Sequence, residues 1–295
     1  MNRICPGCRA SGSSVVRYGR YFRRSDSRHI PRFRCNDCGK HFSSATFSDC
    51  YRQKKRRLNP RLRALLGSAM SMRRLAVLLR TSRTTVARKL VFLGDQARAQ
   101  QRHFLDEHCQ QNGLFDAVQF DDLETFEHTK CKPLTVTVVM NPESRLIIDY
   151  ALAPIAANGP LAAISRQKYG KRKDQSRAAR HQLFERLKAR VSPEAEFKSD
   201  EHRHYPVLMR RHFPAATHRR YKSIRGCVTG QGELKKVRHD PLFGVNHTLA
   251  MLRANINRLV RKTWCTTKKI ERLDDHLALY IDFHNRVLLQ HARTT

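Results

Sequence analysis

Two groups of side chains in this sequence have the types and spacing to do chemistry. One is the run Phe115-Asp116-Ala117-Val118-Gln119-Phe120-Asp121-Asp122-Leu123-Glu124-Thr125-Phe126. A stretch heavy in Val and Phe drives into paired carboxylates, the pattern of a buried strand whose end presents acids to a divalent cation. The other is Cys5-Pro6-Gly7-Cys8 with Cys35-Asn36-Asp37-Cys38-Gly39. Two residues between the cysteines of each pair let both thiolates point at one metal, and the glycine permits the tight turn. Four such thiolates fill a tetrahedral zinc, so the site is read as structural, folding a segment too small for its own core.

Segments that position these groups follow from patterning. Val15-Val16-Arg17-Tyr18 and Arg32-Phe33-Arg34 suit a ribbon hairpin between the cysteine pairs. A basic run, Arg52-Gln53-Lys54-Lys55-Arg56-Arg57, reads as a solvated or phosphate-contacting linker. Asn59-Pro60 starts a helix with Leu62, Leu65 and Leu66 on its apolar side. Next, a helix with Leu75, Ala76 and Leu79 inward meets a short turn, and Ser82 caps a second helix with Val86 and Leu90 inward. That is a helix-turn-helix pattern, whose second helix offers Arg83, Thr84, Thr85 and Arg88 to a major groove. Residues from about 93 to 112 form a polar connecting helix.

From Phe115 the pattern turns to strands. The acid-bearing strand, Leu134–Met140 and Leu146–Leu152 make a meander, with Asn141-Pro142-Glu143-Ser144 as a hairpin turn. A basic loop (168–177) and a helix near 178–190 precede a fourth strand, 195–199, that ends at Asp200. A short helix at 206–212, a fifth strand near 218–222 and a glycine-bearing loop lead to a long helix, 241–263, and a last amphipathic helix, 271–288. His202 and His204 are expected to be polar surface. Asp122 and Glu124 are expected to support the metal ligands or face solvent, and Trp264 and Cys265 to pack in the core.

Composition bounds the partners. The chain has 295 residues, 40% of them apolar, enough for a sizeable core. With 58 Lys+Arg against 25 Asp+Glu the net charge is +33, spread along the chain, and a polyanion such as nucleic acid is the natural partner. No long apolar run or signal-type segment points to a membrane or to export, so the expected setting is intracellular and reducing. Nine cysteines there suggest metal ligands or buried thiols before disulfides.

Three antiparallel strands, a helix, a strand ending in Asp and a later helix is the element order of the ribonuclease-H-like fold. There, acids on the first strand and after the fourth meet at the sheet centre, where two hard divalent cations act on a phosphodiester. Asp121 and Asp200 fit those two places. Taken with Cys5, Cys8, Cys35, Cys38, the Phe120–Phe126 stretch, Lys198-Ser199-Asp200 and the block Asn246–Thr263, the chain resembles bacterial insertion-sequence transposases of the DDE class, in the group with an N-terminal zinc ribbon and helix-turn-helix.

The resemblance covers nearly the whole chain. It implies a multidomain protein: a zinc ribbon (1–50), a helix-turn-helix domain with its connecting helix (51–112), and an α/β ribonuclease-H-like catalytic domain with C-terminal helices (113–295). It implies Mg²⁺ (or Mn²⁺) at the catalytic site, structural Zn²⁺ in the ribbon, and double-stranded DNA (element ends and target) as substrate. A homo-oligomer in the bacterial cytoplasm, associated with the nucleoid, is implied too. Aligned on the family's helix block, Asn246 stands where a catalytic Glu is usual, and Arg253 shares its helix face at a position where a basic residue contacts DNA. Glu233, on the loop before the helix, is the competing third ligand. Two other functions stay open: a DNA-binding regulator with a degenerate core, and a metal-dependent nuclease.

Overall fold

The computed structural model describes residues 4–222, 240–260 and 264–294. Contacts divide the chain into two compact units, Met1–Leu62 and Arg63–Thr295.

In the first unit, β1 (Val15–Arg23), β2 (Arg28–Cys35) and β3 (His41–Ser43) form an antiparallel sheet in that order. Its core is small: Val15, Phe33 and Phe42 pack with the buried Cys5 and Cys35. So few apolar side chains give the unit little hydrophobic stabilisation of its own, the situation in which small domains use a metal or a disulfide. α1 (Asn59–Leu66) spans the division and starts at the expected Asn59.

The second unit opens with α2 (Met72–Leu78) and α3 (Arg83–Asn112). Ser71 caps α2 by accepting from the Arg74 N–H at 3.3 Å, and Ser82 caps α3 by accepting from Thr85 N–H at 3.1 Å. Leu75, Ala76, Val86 and Leu90 are buried as the pattern required. The separate connecting helix does not exist. α3 runs unbroken for 30 residues, about 45 Å at 1.5 Å per residue, from the turn after α2 to the sheet. Gly94, which could have broken it, is a contact point: a Cβ there would lie 2.9 Å from the Asp275 Cα on the facing helix.

The sheet contains β4 (Phe115–Phe126), β5 (Pro133–Met140), β6 (Ile147–Pro154), β7 (Val191–Asp200) and β8 (Thr217–Tyr221), ordered β6-β5-β4-β7-β8. β4 is central. It pairs antiparallel with β5 and parallel with β7, so the sheet is mixed and the expected meander forms. β7 begins earlier than expected, at Val191, with a register break near Pro193, which cannot donate to a ladder. The basic stretch expected as loop is partly helical, since α4 spans Leu161–Tyr169; α5 (Ser176–Leu187) and α6 (Tyr205–His212) follow near their expected places.

Strand alternation feeds two apolar layers. Val118, Phe120, Val139 and Ile148 pack with Leu105 of α3, with Leu183 and Phe184 of α5 and with Leu208 of α6. Leu123, Val136, Val138 and Met140 face α7 (Phe243–Asn255) and α8 (Ile270–Phe283). In α8 the expected Leu273, Leu277, Tyr280 and Ile281 are all buried, and the helix passes through a π turn at His284–Leu288 into α9 (Leu289–Thr294).

Two expectations fail here. α7 stops at Asn255 and does not run to 263, because Ala69, in the loop before α2, takes the Asn255 carbonyl (N–H to O 2.8 Å). Trp264 is 77% exposed and not in the core, and Cys265 is only half-buried.

Candidate active site and metal centre

Asp121 and Asp200 are brought together by strand register. β4 and β7 pair in parallel at Ala117↔Glu196, Val118↔Phe197 and Gln119↔Lys198. Carried forward, that register sets Asp121 beside Asp200 on adjacent strands, which in a sheet lie about 4.8 Å apart. β4 itself does not end there, as the sequence pattern suggested: it continues to Phe126 against β5. The ladder that ends is the one with β7, so the acids stand in the notch where the parallel partner turns away.

That turn is written in Asp200. Its Oδ1 accepts the His202 N–H at 3.0 Å, closing an Asx turn that stops the strand. Asp121 Oδ1 accepts the Asp122 N–H at 2.7 Å. Among the described residues the second oxygen of each carboxylate has no hydrogen-bond partner. Burial, opposed by the Asp122 N–H and aided by the negative charges of Asp200 and Asp122, pushes the Asp121 carboxyl up to about 7. Its ordinary value is 3.8. Two carboxylates on adjacent strands, each with one oxygen outside its hydrogen bond, offer the oxygen donors that a hard divalent ion takes.

Side chains alternate along β4, so Asp121 shares its face with Gln119 and Leu123, the face covered by α7. Gln119 fixes the start of that helix: Oε1 accepts the Val245 N–H at 2.9 Å and Nε2 donates to the Pro241 carbonyl at 2.9 Å. Gly244 sits at the crossing: a Cβ there would fall 2.6 Å from Gln119 Oε1 and push that amide out of place. Further along, Arg253 donates to the Glu124 carbonyl at 3.3 Å. α7 therefore runs beside β4 from Gln119 to Glu124, bracketing Asp121.

Asn246 lies on this helix, exposed, with its amide donating to Asp240 Oδ2 at 2.9 Å. Among the described residues it hydrogen-bonds neither Asp121 nor Asp200. Asp240 went unnoticed in the sequence, although Asp-Pro before an apolar helix is a start signal; its Oδ1 accepts the Leu242 N–H at 2.9 Å. Glu233 lies outside the described residues.

Asp122 points to the opposite face and is half-buried in a polar cluster. Arg180 and the Thr137 hydroxyl both donate to it, and the Arg180 guanidinium lies 5.8 Å from the centre of the Tyr205 ring. His202 belongs to the same region and not to bare surface: its ring lies 4.7 Å from that of Tyr205, and burial, then the Arg180 charge, lower its pKa. Nothing in the sequence pairs Arg180 with Asp122, since helix α5 and strand β4 meet only in the fold. Arg180→Met leaves the half-buried Asp122 without its cation and is expected to destabilise the unit by about 3 kcal/mol. Arg180→Met with Asp122→Leu should recover most of that. Urea unfolding of both variants checks it, and a smaller loss in the single variant than in the double contradicts it.

In the first unit the four cysteine sulfurs converge. Cys5 Sγ lies 3.6 Å from Cys38 Sγ and Cys8 Sγ 3.5 Å from Cys35 Sγ, with all four within 4.8 Å. Ideal tetrahedral zinc with ~2.3 Å bonds sets its sulfurs ~3.8 Å apart. Gly7 donates its N–H to Cys5 Sγ at 3.3 Å, stabilising a thiolate. Among the described residues this is the group of three or more Cys, His or acidic side chains close enough to hold an ion.

Of the groove-directed residues, Arg83, Thr84 and Arg88 are exposed on the first turns of α3, while Thr85 is half-buried and engaged with the Ser82 cap.

No family model and no curated protein matches the chain. Among solved structures, it is similar to the Mos1 strand transfer complex at 13% identity, covering 79% of this chain and 76% of that one, with a TM-score of 0.25. It is similar also to a pre-cleavage Mos1 transpososome at 13% identity, covering 80% and 78%, with a TM-score of 0.21. Likeness at that level assigns neither fold nor activity.

Proposed function

We propose that this protein is a transposase: it binds the terminal inverted repeats of an insertion element and performs Mg²⁺-dependent DNA strand cleavage and transfer on a ribonuclease-H-like core. The observation that carries this reading is the β4–β7 register, which carried two residues past its last pair sets Asp121 beside Asp200 at the sheet centre, on the face that α7 covers. Asp121 and Asp200 would hold the divalent cation, with the Asn246 carbonyl oxygen or Glu233 as the third donor. The cation supplies positive charge for a phosphodiester passing through its transition state. Asp121 and Asp200 keep one oxygen each in a fixed hydrogen bond, so their remaining oxygens are oriented before substrate arrives. The Arg180–Asp122 pair beneath them holds β4 against α5.

DNA recognition is assigned to the front of the chain. Arg83, Thr84, Thr85 and Arg88 enter the major groove, Arg253 contacts DNA near the metal site, and Cys5, Cys8, Cys35 and Cys38 hold Zn²⁺ in a ribbon. Because α3 is one helix from the groove-facing residues to Leu105 in the sheet's apolar layer, DNA held at its start is coupled rigidly to the catalytic face. Pairing two element ends calls for at least two copies of the chain.

A second reading, a DNA-binding regulator with a degenerate core, is favoured by Asn246 alone: an amide brings no charge to a metal, and its Nδ2 is engaged with Asp240. Labelled element ends incubated with Mg²⁺ and a second duplex separate the readings. A transposase cleaves and joins the ends to the second duplex; a nuclease cleaves without joining; a regulator binds and does neither. Absence of joined product with tight end binding would overturn the transposase.

A further inference from the structure

The first unit carries a cleft that neither zinc binding nor the strand chemistry uses. The β1–β2 ladder breaks at a bulge: Arg17 pairs Phe33, Arg20 pairs Pro31, and Tyr18 with Gly19 (φ 76°) stand opposite Arg32 alone. The extra residue resets the alternation of β1, placing Tyr21 across from the buried Ile30 while leaving it 39% exposed. The chain after β3 folds back beside it. Tyr21 and Tyr51, the latter 45% exposed, line a cleft of about 360 Å³.

Its other walls are cationic. Arg23, Arg52, Lys54, Lys55 and Arg56 line it, and among the described residues no carboxylate does. Arg23 is engaged by Asp26 (Nε to Oδ1 2.7 Å). The Arg52 guanidinium lies 5.3 Å from the centre of the Tyr51 ring, and Arg56 Nε is a buried donor with no hydrogen-bond partner among the described residues. Arg52 and Lys55 hold left-handed backbones (φ 60° and 49°), a conformation unfavourable for side-chain-bearing residues that tends to cluster at binding sites.

Two exposed rings with cations around them are the parts of a single-stranded nucleic-acid site: every base has a π-face to stack, and phosphates take the cations. The volume lies in the range of small-ligand pockets and admits one nucleotide, not a duplex. We propose that this cleft is a subsite for an unpaired deoxynucleotide, its base on Tyr21 or Tyr51 and its flanking phosphates on Arg52, Lys54 and Arg56. The choice of DNA over RNA rests on the strand-transfer reading; the stacking and charge do not. An unpaired stretch of that kind is what a cleaved or frayed duplex end exposes.

The test is fluorescence anisotropy with the full-length, zinc-loaded chain and no divalent catalytic ion, so its failure says nothing about cleavage. The probes are a labelled oligo(dT), an abasic oligonucleotide of equal length and a blunt duplex. Wild type is expected to bind oligo(dT) about tenfold more tightly than the abasic strand. Tyr21→Ala with Tyr51→Ala should erase that difference and leave abasic and duplex binding unchanged, while Tyr21→Phe with Tyr51→Phe keeps it. Arg52→Gln with Lys54→Gln should weaken both single strands alike and lower the salt slope by roughly 0.7 per phosphate lost. Equal affinity of wild type for oligo(dT) and the abasic strand overturns the proposal, as does a loss in the alanine variant that is the same on all three probes. Oligo(rU) bound more tightly than oligo(dT) overturns the assignment to DNA. If the alanine variant fails to retain zinc, photocrosslinking of wild type to an oligonucleotide bearing 5-iodouracil decides: a crosslink at Tyr21 or Tyr51 supports the subsite, and crosslinks only elsewhere overturn it.

Discussion

Asp121→Ala and Asp200→Ala are each expected to lower Mg²⁺-dependent strand cleavage by about a thousandfold or more while leaving binding to element ends intact. Charge stabilisation by a bound cation contributes several kcal/mol to such a reaction, and ~4 kcal/mol is about three powers of ten. Each aspartate supplies half of the carboxylate pair described, and neither is part of the apolar layers, so the fold should survive. Single-turnover cleavage and electrophoretic binding, run side by side, check both halves. Full activity in either variant would show that the metal is held elsewhere.

The pH dependence follows from the same pair. Asp121 has its folded pKa raised to about 7 from 3.8, chiefly by burial. A carboxyl raised in the fold favours the folded state below about pH 4 and loses that contribution as pH rises through 7. The metal-free protein should therefore be less stable at pH 8 than Asp121→Asn, and a divalent cation should remove the difference. Cleavage should also fall as pH drops below 7, where protons compete for Asp121. A metal-free protein as stable as the asparagine variant at pH 8 would contradict the raised pKa.

Removing zinc is the second large effect. Structural zinc contributes an apparent 10 kcal/mol or more to the folding of small domains at neutral pH, far more than the Val15, Phe33 and Phe42 core can replace. Chelation should unfold the first unit, free four thiols to a thiol reagent and abolish the oligo(dT) preference. Unit two, with its own two apolar layers, should melt as before. Purification with much less than one zinc per chain, and a first unit unaffected by chelator, would refute the metal centre.

The sequence carried the local rules well and the tertiary ones poorly. Ser82, the cysteine spacing and the alternation of β4 to β6 read directly because each depends on neighbours a few residues away. The position of the acids did not: β4 continues past Asp121, and only the register with β7 and the Asx turn at Asp200 create the notch. Arg180 was invisible for the same reason, since a buried ion pair needs the fold before it exists. α7 ends where Ala69 caps it, a contact remote in sequence, and Trp264 shows that a large apolar side chain is no guarantee of burial. The continuity of α3 was hidden by its drop in apolar periodicity; inside it, Gly94 lies in close contact with Asp275 of α8, a packing that no local pattern encodes.

That Asp121 and Asp200 share one divalent cation is tested most directly by titrating the zinc-loaded chain with Mn²⁺, followed by electron paramagnetic resonance, in wild type, Asp121→Asn and Asp200→Asn. Wild type should bind Mn²⁺ more tightly as pH rises from 6 to 8, with about half a proton released per ion at pH 7 from a group titrating there. Both variants should bind more weakly, and Asp121→Asn should lose the pH dependence. Mn²⁺ affinity identical in all three proteins and flat with pH would contradict the shared site.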